Sequence, residues 1–200
     1  MRLYLVRHGE TTYNRDGLGL GRADAPLTDL GREQARRLGA YIDSERLDTL
    51  FSSPLGRAVE TATAAAGGLG PRLAEALIEL DVGHTEGLPF AEMRTRFPAF
   101  LREWGGSGGH TVDMPGGESL EAVDARVRPF LDGVVGSNAG SVMLVTHNFV
   151  LRVILCQLLG LPLASFRAFA VDLASVSIVD VEHGRGIVYR LNDTCHLQGT

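Results

Sequence analysis

Apolar positions along this chain fall into two patterns, short unbroken runs and longer stripes at helical spacing. Leu3 to Val6 is an unbroken run that stops abruptly at Arg7-His8-Gly9, and Val142 to Val145 is another, stopping at Thr146-His147-Asn148. Such runs read as strands buried on both faces of a parallel sheet, delivering polar groups to the carboxyl edge where open α/β folds keep their ligands. A shorter run, Thr49 to Phe51, ends in Ser52-Ser53-Pro54. Helical stripes follow each run. Glu10 to Asn14 predicts the entry to a helix, and Thr28 is a good N-cap for the next, with apolar positions at Leu30, Ala35, Leu38, Tyr41 and Ile42. Arg57 falls in the first turn of an alanine-rich helix running towards Gly67. After Glu118-Ser119, the stripe Leu120, Val123, Val127, Phe130, Leu131 and Val134 marks an amphipathic helix. Phe149 to Leu159 is an apolar helix that includes Cys156, and Ser175–Val181 with Ile187–Leu191 reads as a β-hairpin around a solvated His183.

The stretch 89–118 departs from this alternation. Pro89 to Trp104 predicts short helices rich in Phe90, Phe97, Phe100 and Trp104, and Gly105 to Glu118 is irregular, with glycine at six positions. Long irregular segments in a compact fold serve as lids or binding loops, so a substrate cap is expected at about 89–118. Its aromatics suit either bulky leaving groups or a local core. No internal repeat or linker interrupts the chain, and the expectation is one α/β domain over residues 1–200.

Composition narrows the chemistry. All 19 basic residues are arginine, which removes Schiff-base lysines, Walker lysines and Ser-Lys nucleophile pairs. The net charge of −5 argues against a nucleic-acid partner while leaving room for a small positive pocket. No apolar run approaches the ~18 residues needed to span a bilayer, and the amino terminus lacks the pattern of a signal peptide, so a cytoplasmic protein without a membrane partner is expected. Cys156 and Cys195 match no metal or redox spacing, and neither has an arginine six residues later as a Cys-x5-Arg phosphatase requires.

The candidate chemistry lies at the strand ends. An arginine fork beside an imidazole, Arg7-His8, suits a phosphoryl group, since guanidinium matches two phosphate oxygens and imidazole can attack phosphorus; a strand end with a solvated arginine is the plainer alternative. Arg57, early in its helix, sits where the helix dipole favours an anion. Asn14 is near enough in sequence to turn its amide towards whatever His8 touches. Glu79, in the middle of the apolar segment Ala76–Gly83, is either an edge carboxylate or a semi-buried proton donor with a raised pKa.

In order and spacing these pieces resemble the histidine phosphatase superfamily, which includes the cofactor-dependent phosphoglycerate mutases and many small phosphatases. The resemblance rests on Arg7-His8-Gly9-Glu10-Thr11, Asn14, Pro26-Leu27-Thr28-x-x-Gly31-x-x-Gln34-Ala35 and Ser52-Ser53-Pro54-x-x-Arg57-Ala58-x-x-Thr61-Ala62. It continues through Glu79-x-x-x-Gly83, Glu86-Gly87, Pro115-Gly116-Gly117-Glu118-Ser119 and Val145-Thr146-His147. It implies an α/β three-layer sandwich, with a mostly parallel central sheet flanked by helices, of the phosphoglycerate mutase-like type. It also implies a metal-independent phosphomonoesterase without cofactor, acting on small phosphorylated metabolites. His8 would become phosphohistidine, and Arg7, Arg57 and His147 would hold the phosphoryl oxygens with Asn14 and Asn148. Glu79 would be proton donor and then base, and Gly21 and Arg22 would touch substrate. Two departures stand out: Thr85 where a tryptophan commonly precedes the Glu-Gly pair, and Asn148 where glycine usually follows the second histidine. A mutase and a low-turnover phosphoprotein-binding module are the alternatives. Against the mutase, Arg94, Arg96 and Arg102 form no evident grip for a carboxylate and a phosphate together. A homodimer through the Phe149 helix and the C-terminal hairpin is also compatible with the pattern.

Overall fold

The computed structural model describes residues 1–42 and 47–198. Six strands, β1 (Arg2–Arg7), β2 (Thr49–Ser52), β3 (Arg72–Leu73), β4 (Ser141–Thr146), β5 (Val176–Glu182) and β6 (Arg185–Asp193), form one sheet in the order β3-β2-β4-β1-β5-β6. The pairs β1/β4, β2/β4 and β2/β3 are parallel, while β5 lies antiparallel to both β1 and β6. The unbroken apolar runs are the central strands β1 and β4. A strand with helices on both faces has no wet side, so Leu3 to Val6 and Val142 to Val145 are all buried.

Successive side chains alternate between the two faces. Leu3, Leu5, Val142 and Leu144 pack with α6 (Leu120–Val135) and α7 (Asn148–Leu159). Tyr4, Val6, Met143 and Val145 pack against α2 (Asp29–Ile42) and α3 (Gly56–Ala65). The fold is the expected three-layer α/β sandwich. Ser119 caps α6 by accepting the Ala122 N–H, and the α6 stripe Leu120, Val123, Val127, Leu131 and Val134 is buried, worth roughly 1.5–3 kcal/mol for each fully buried large side chain. Thr28 Oγ1 accepts the Gly31 N–H at 3.0 Å, as a cap for α2 should.

Three expectations need correction. Leu30 does not belong to the apolar stripe of α2; it is 54 % exposed, and Gly31 takes the buried position beside it. An added Cβ on Gly31 would run into the Glu10 carbonyl, so glycine lets the first strand-end turn lie directly on α2. The apolar surface of α7 is consumed by the core rather than left for a partner: Val150, Leu151, Val153, Ile154, Leu155, Cys156 and Leu158 are all buried. The exposed apolar side chains Ile187, Val188, Tyr189 and Leu191 belong to β6 instead. The turn between β5 and β6 is also tighter than the sequence suggested, with His183 and Gly184 both at positive φ.

The stretch 89–118 holds two short helices, α4 (Phe90–Arg96) and α5 (Pro98–Gly105), and a single turn at Gly109–Thr111. It packs through Trp104, whose ring lies 5.8 Å edge-on to Phe149 and 5.9 Å from Phe166. The first helix of the chain, α1 (Thr12–Arg15), is one turn long. No helix among the described residues is long and apolar enough to cross a membrane.

Candidate active site

Register explains why two distant histidines meet. Arg7 lies opposite Thr146 across the parallel β1/β4 pair, so the next residues, His8 and His147, leave the sheet side by side with ring centroids 5.0 Å apart. Ser52 lies opposite Val145 on the other flank of β4, so Ser53 comes level with Thr146, one residue before His147. Its Oγ is 2.7 Å from His147 Nε2.

His8 is 2 % exposed. Its Nδ1 lies 2.7 Å from the Gly9 carbonyl, which can only accept, so Nδ1 carries the proton and Nε2 keeps its lone pair. The Gly9 peptide is itself fixed, its N–H donating to Thr61 Oγ1 at 3.1 Å. Burial first, then the charges of Arg57 and Arg7, holds the His8 pKa well below its ordinary value, so the ring is neutral at pH 7. Arg57 Nε points at the lone pair of His8 Nε2 from 3.3 Å. Its other nitrogens donate to Gly21 O at 2.5 Å and Ala23 O at 2.8 Å, and the whole side chain is buried. Arg7 is tethered through Nη1 to Val171 O at 2.7 Å. Burial pushes its pKa down to about 10. Two buried nitrogens in this cluster, Arg7 Nε and His147 Nδ1, have no hydrogen-bond partner among the described residues.

Glu79 is 3 % exposed and belongs to no strand, following the single turn Glu75–Leu77. Its oxygens accept the N–H groups of Leu80 at 2.9 Å and Phe149 at 3.3 Å. Burial raises its pKa above the ordinary carboxylate value, against the opposing pull of those N–H groups and of Arg57 and Arg7. The His147 pKa is pressed well down, mainly by burial and then by His8 and the arginines.

The remaining predicted residues divide. Asn14 uses Oδ1 in a capping box with Thr11, at 3.1 Å from its N–H, which fixes the amide beside the strand end. Gly21 contributes its carbonyl to Arg57, and its N–H to Glu86 at 2.7 Å. Arg22 is turned to other work: it donates to Glu118 at 2.9 Å and to the Glu79 carbonyl at 3.2 Å, and lies 3.6 Å from Asp81. Asn148 accepts from Arg152 Nε at 3.1 Å, which fixes its amide directly after His147.

Two carboxylates quoted above only as motif members prove to organise the site. Glu86 accepts three successive N–H groups, from Gly21, Arg22 and Ala23, at 2.7, 2.9 and 3.0 Å, which aims the carbonyls of 21 and 23 at Arg57. Glu118 joins Arg22, Arg126 and the Asp81 N–H, and both arginines donate to the Glu79 carbonyl. Gly117 permits this, since a Cβ there would strike the Asp81 carbonyl. Arg126 was missed altogether; its one signal is a charge adjoining Val127 on the buried stripe of α6. Among the described residues no group of three or more His, Cys, Asp or Glu side chains is arranged to hold a metal ion.

The arrangement has known counterparts. The profile of the histidine phosphatase superfamily (branch 1) matches residues 3–194. Phosphoserine phosphatase 1 of Hydrogenobacter thermophilus is 36 % identical over 98 % of this chain and 94 % of its own length. A protein of Yersinia enterocolitica named as a probable phosphoglycerate mutase, GpmB, is 31 % identical over 98 % and 95 %. The solved structure of a mycobacterial glucosyl-3-phosphoglycerate phosphatase superposes with a TM-score of 0.89 at 30 % identity, covering 96 % of this chain and 99 % of that one. With the family profile spanning nearly its whole length, this chain belongs to the histidine phosphatase superfamily, and with it to the phosphoric monoester hydrolases of phosphoglycerate mutase-like fold.

Proposed function

We infer that this chain hydrolyses phosphomonoesters of small metabolites through a phosphohistidine on His8. The observation that carries the reading is the tautomer: Nδ1–H on the Gly9 carbonyl leaves a neutral Nε2 lone pair inside a ring of guanidinium groups. Nε2 attacks phosphorus, the ester P–O bond breaks, and the Glu79 carboxyl gives its proton to the leaving oxygen. Glu79, now a carboxylate, takes a proton from water as the water oxygen attacks phosphorus. The P–N bond breaks, phosphate leaves, and His8 and Glu79 return to their starting states. Arg7, Arg57 and His147 bind the phosphoryl oxygens, an oxygen satisfying Arg7 Nε and His147 Nδ1, with the Asn14 and Asn148 amides as further donors. The charge that a metal would supply comes from the arginines. Arg22 acts through Glu79 and Glu118 rather than on substrate.

The segment 89–118 serves as the cap, closing over the pocket through Trp104 and Phe149. Its arginines support hydrolysis over mutase chemistry: Arg94, Arg96 and Arg102 are all exposed, and Arg96 pairs with Glu92. Relatives named for phosphoserine and for glucosyl-3-phosphoglycerate support a small-molecule substrate. The test is turnover of p-nitrophenyl phosphate in excess EDTA. Full activity is expected, and His8→Ala should lower it at least ~10³-fold. Activity lost to EDTA and restored by Mg²⁺, or retained by His8→Ala, contradicts the reading.

A further inference from the structure

One turn into α7, Arg152 is half-buried and pairs with no carboxylate among the described residues. Its Nε donates to Asn148 Oδ1 at 3.1 Å and Nη1 to the Phe166 carbonyl at 3.3 Å, so the guanidinium is held between the residue after His147 and Phe166, on which Trp104 of the cap packs. Arg167 stands beside it, stacked on Phe166 at 4.2 Å and over Trp104 at 5.6 Å, and it too lacks a carboxylate. Two cations side by side repel, and burying part of one adds to the cost, so this arrangement is unfavourable without an anion. The same groups bear on the phosphate-binding cluster: Arg167 lies close enough for its charge to act on Arg152, and Arg152 close enough for its charge to act on Arg7 and to feel Glu79. The phosphoryl group already engages Arg7, Arg57 and His147. Arg152 is therefore a cation on the Glu79 side of the site, since it holds Asn148 and the next residue, Phe149, donates its N–H to Glu79 at 3.3 Å, and it has no task in the phosphoryl chemistry proposed above.

We propose that Arg152 and Arg167 form a second anion subsite, which binds a carboxylate or a second phosphate carried by the leaving group of the substrate. The subsite rests on the phosphatase reading, because it is defined by the path a leaving group takes from phosphorus past Glu79. It fits substrates whose ester oxygen lies three to five bonds from the carbon or phosphorus of a second anionic group. A guanidinium fork matches two oxygens of either anion, and the hydrogen bond from Arg152 to Asn148 sets the subsite next to the phosphoryl group.

The experiment compares kcat/KM for 3-phosphoglycerate, glycerol 1-phosphate and glycerol 1,3-bisphosphate, in the wild-type protein and in Arg152→Met and Arg152→Lys. The wild type is expected to prefer at least one of the doubly anionic esters over glycerol 1-phosphate by tenfold or more. Which one it prefers identifies the anion. Arg152→Met should lower that ratio at least tenfold and Arg152→Lys should restore part of it, whereas a merely structural role would lower turnover of all three esters together. Equal losses on all three, or no wild-type preference, overturns the subsite while leaving the phosphatase reading intact. Absence of turnover on every ester would instead remove the phosphatase reading on which it stands.

Discussion

The floor of the pocket and its rim differ in how far side chains share in holding their arginines and acids. On the floor, backbone groups hold each reacting side chain: Gly9 O holds His8, Gly21 O and Ala23 O hold Arg57, Val171 O holds Arg7, and the Leu80 and Phe149 N–H groups hold Glu79. At the rim, side chains share the holding with backbone: Arg152 rests on Asn148 Oδ1 and the Phe166 carbonyl, and Arg167 lies over the Phe166 and Trp104 rings and donates to the Trp104 carbonyl. Backbone partners survive most substitutions, so the chemistry is locked to the fold. Side-chain partners change with sequence, so leaving-group preference can alter without loss of the reaction.

The largest break in that comparison comes from Glu79→Gln on the floor. Loss of a positioned acid should lower turnover of alkyl phosphates by ~10²–10⁴-fold and of p-nitrophenyl phosphate much less at the first step, since nitrophenolate leaves without a proton. Equal losses across leaving groups would show that Glu79 is not the acid. The pH profile sharpens the point. The lowered pKa of His8 keeps it neutral as pH falls below the ordinary 6.5, and the raised pKa of Glu79 keeps it protonated above the ordinary 4.5. In kcat/KM the acid limb should lie below 6.5 and the limb from Glu79 above 4.5, and Glu79→Gln should abolish the latter. The stability linkage runs the same way: the His8 contribution is present above 6.5 and lost as pH falls towards its folded value, whereas that of Glu79 is present below 4.5 and lost as pH rises through its raised value.

A smaller effect is expected one layer out. Glu118→Gln removes the charge that gathers Arg22 and Arg126 under the Glu79 peptide, with a stability loss of about 1–3 kcal/mol in denaturant titration and roughly tenfold lower turnover of alkyl phosphates. Stability unchanged and turnover intact would show that the clamp does not position Glu79. The smallest effect belongs to the outer cap: Phe90 is 61 % exposed, so Phe90→Ser should shift stability by no more than about 0.5 kcal/mol. A larger loss would mean that this ring is part of a core.

How much of this was legible depends on where each partner sits in the chain. Local patterns sufficed for the strands, for the caps at Thr28 and Ser119, and for His8, Arg57 and His147 as strand-end or helix-start groups. That β1 and β4 are neighbours was not legible from pattern alone, because equal apolar runs carry no label of order; only the pairing of Arg7 with Thr146 puts the imidazoles together. The partner fixing the His8 tautomer is a backbone carbonyl, and glycine advertises nothing about its carbonyl. Glu86 and Glu118 act over 65 and 96 residues, on Gly21 and Arg22, a separation at which a single sequence is silent. Leu30 was misread because helical spacing fixes a stripe only to within a position, and a glycine packed on a neighbouring turn took its place.

The central claim is that His8 takes the phosphoryl group. Rapid-quench mixing with a ³²P-labelled aryl phosphate, followed by peptide mapping, tests it most directly. The account predicts an acid-labile, base-stable label on the peptide carrying His8, formed within one turnover and discharged to inorganic phosphate. A label on another residue, or turnover without any protein-bound phosphate, would contradict it.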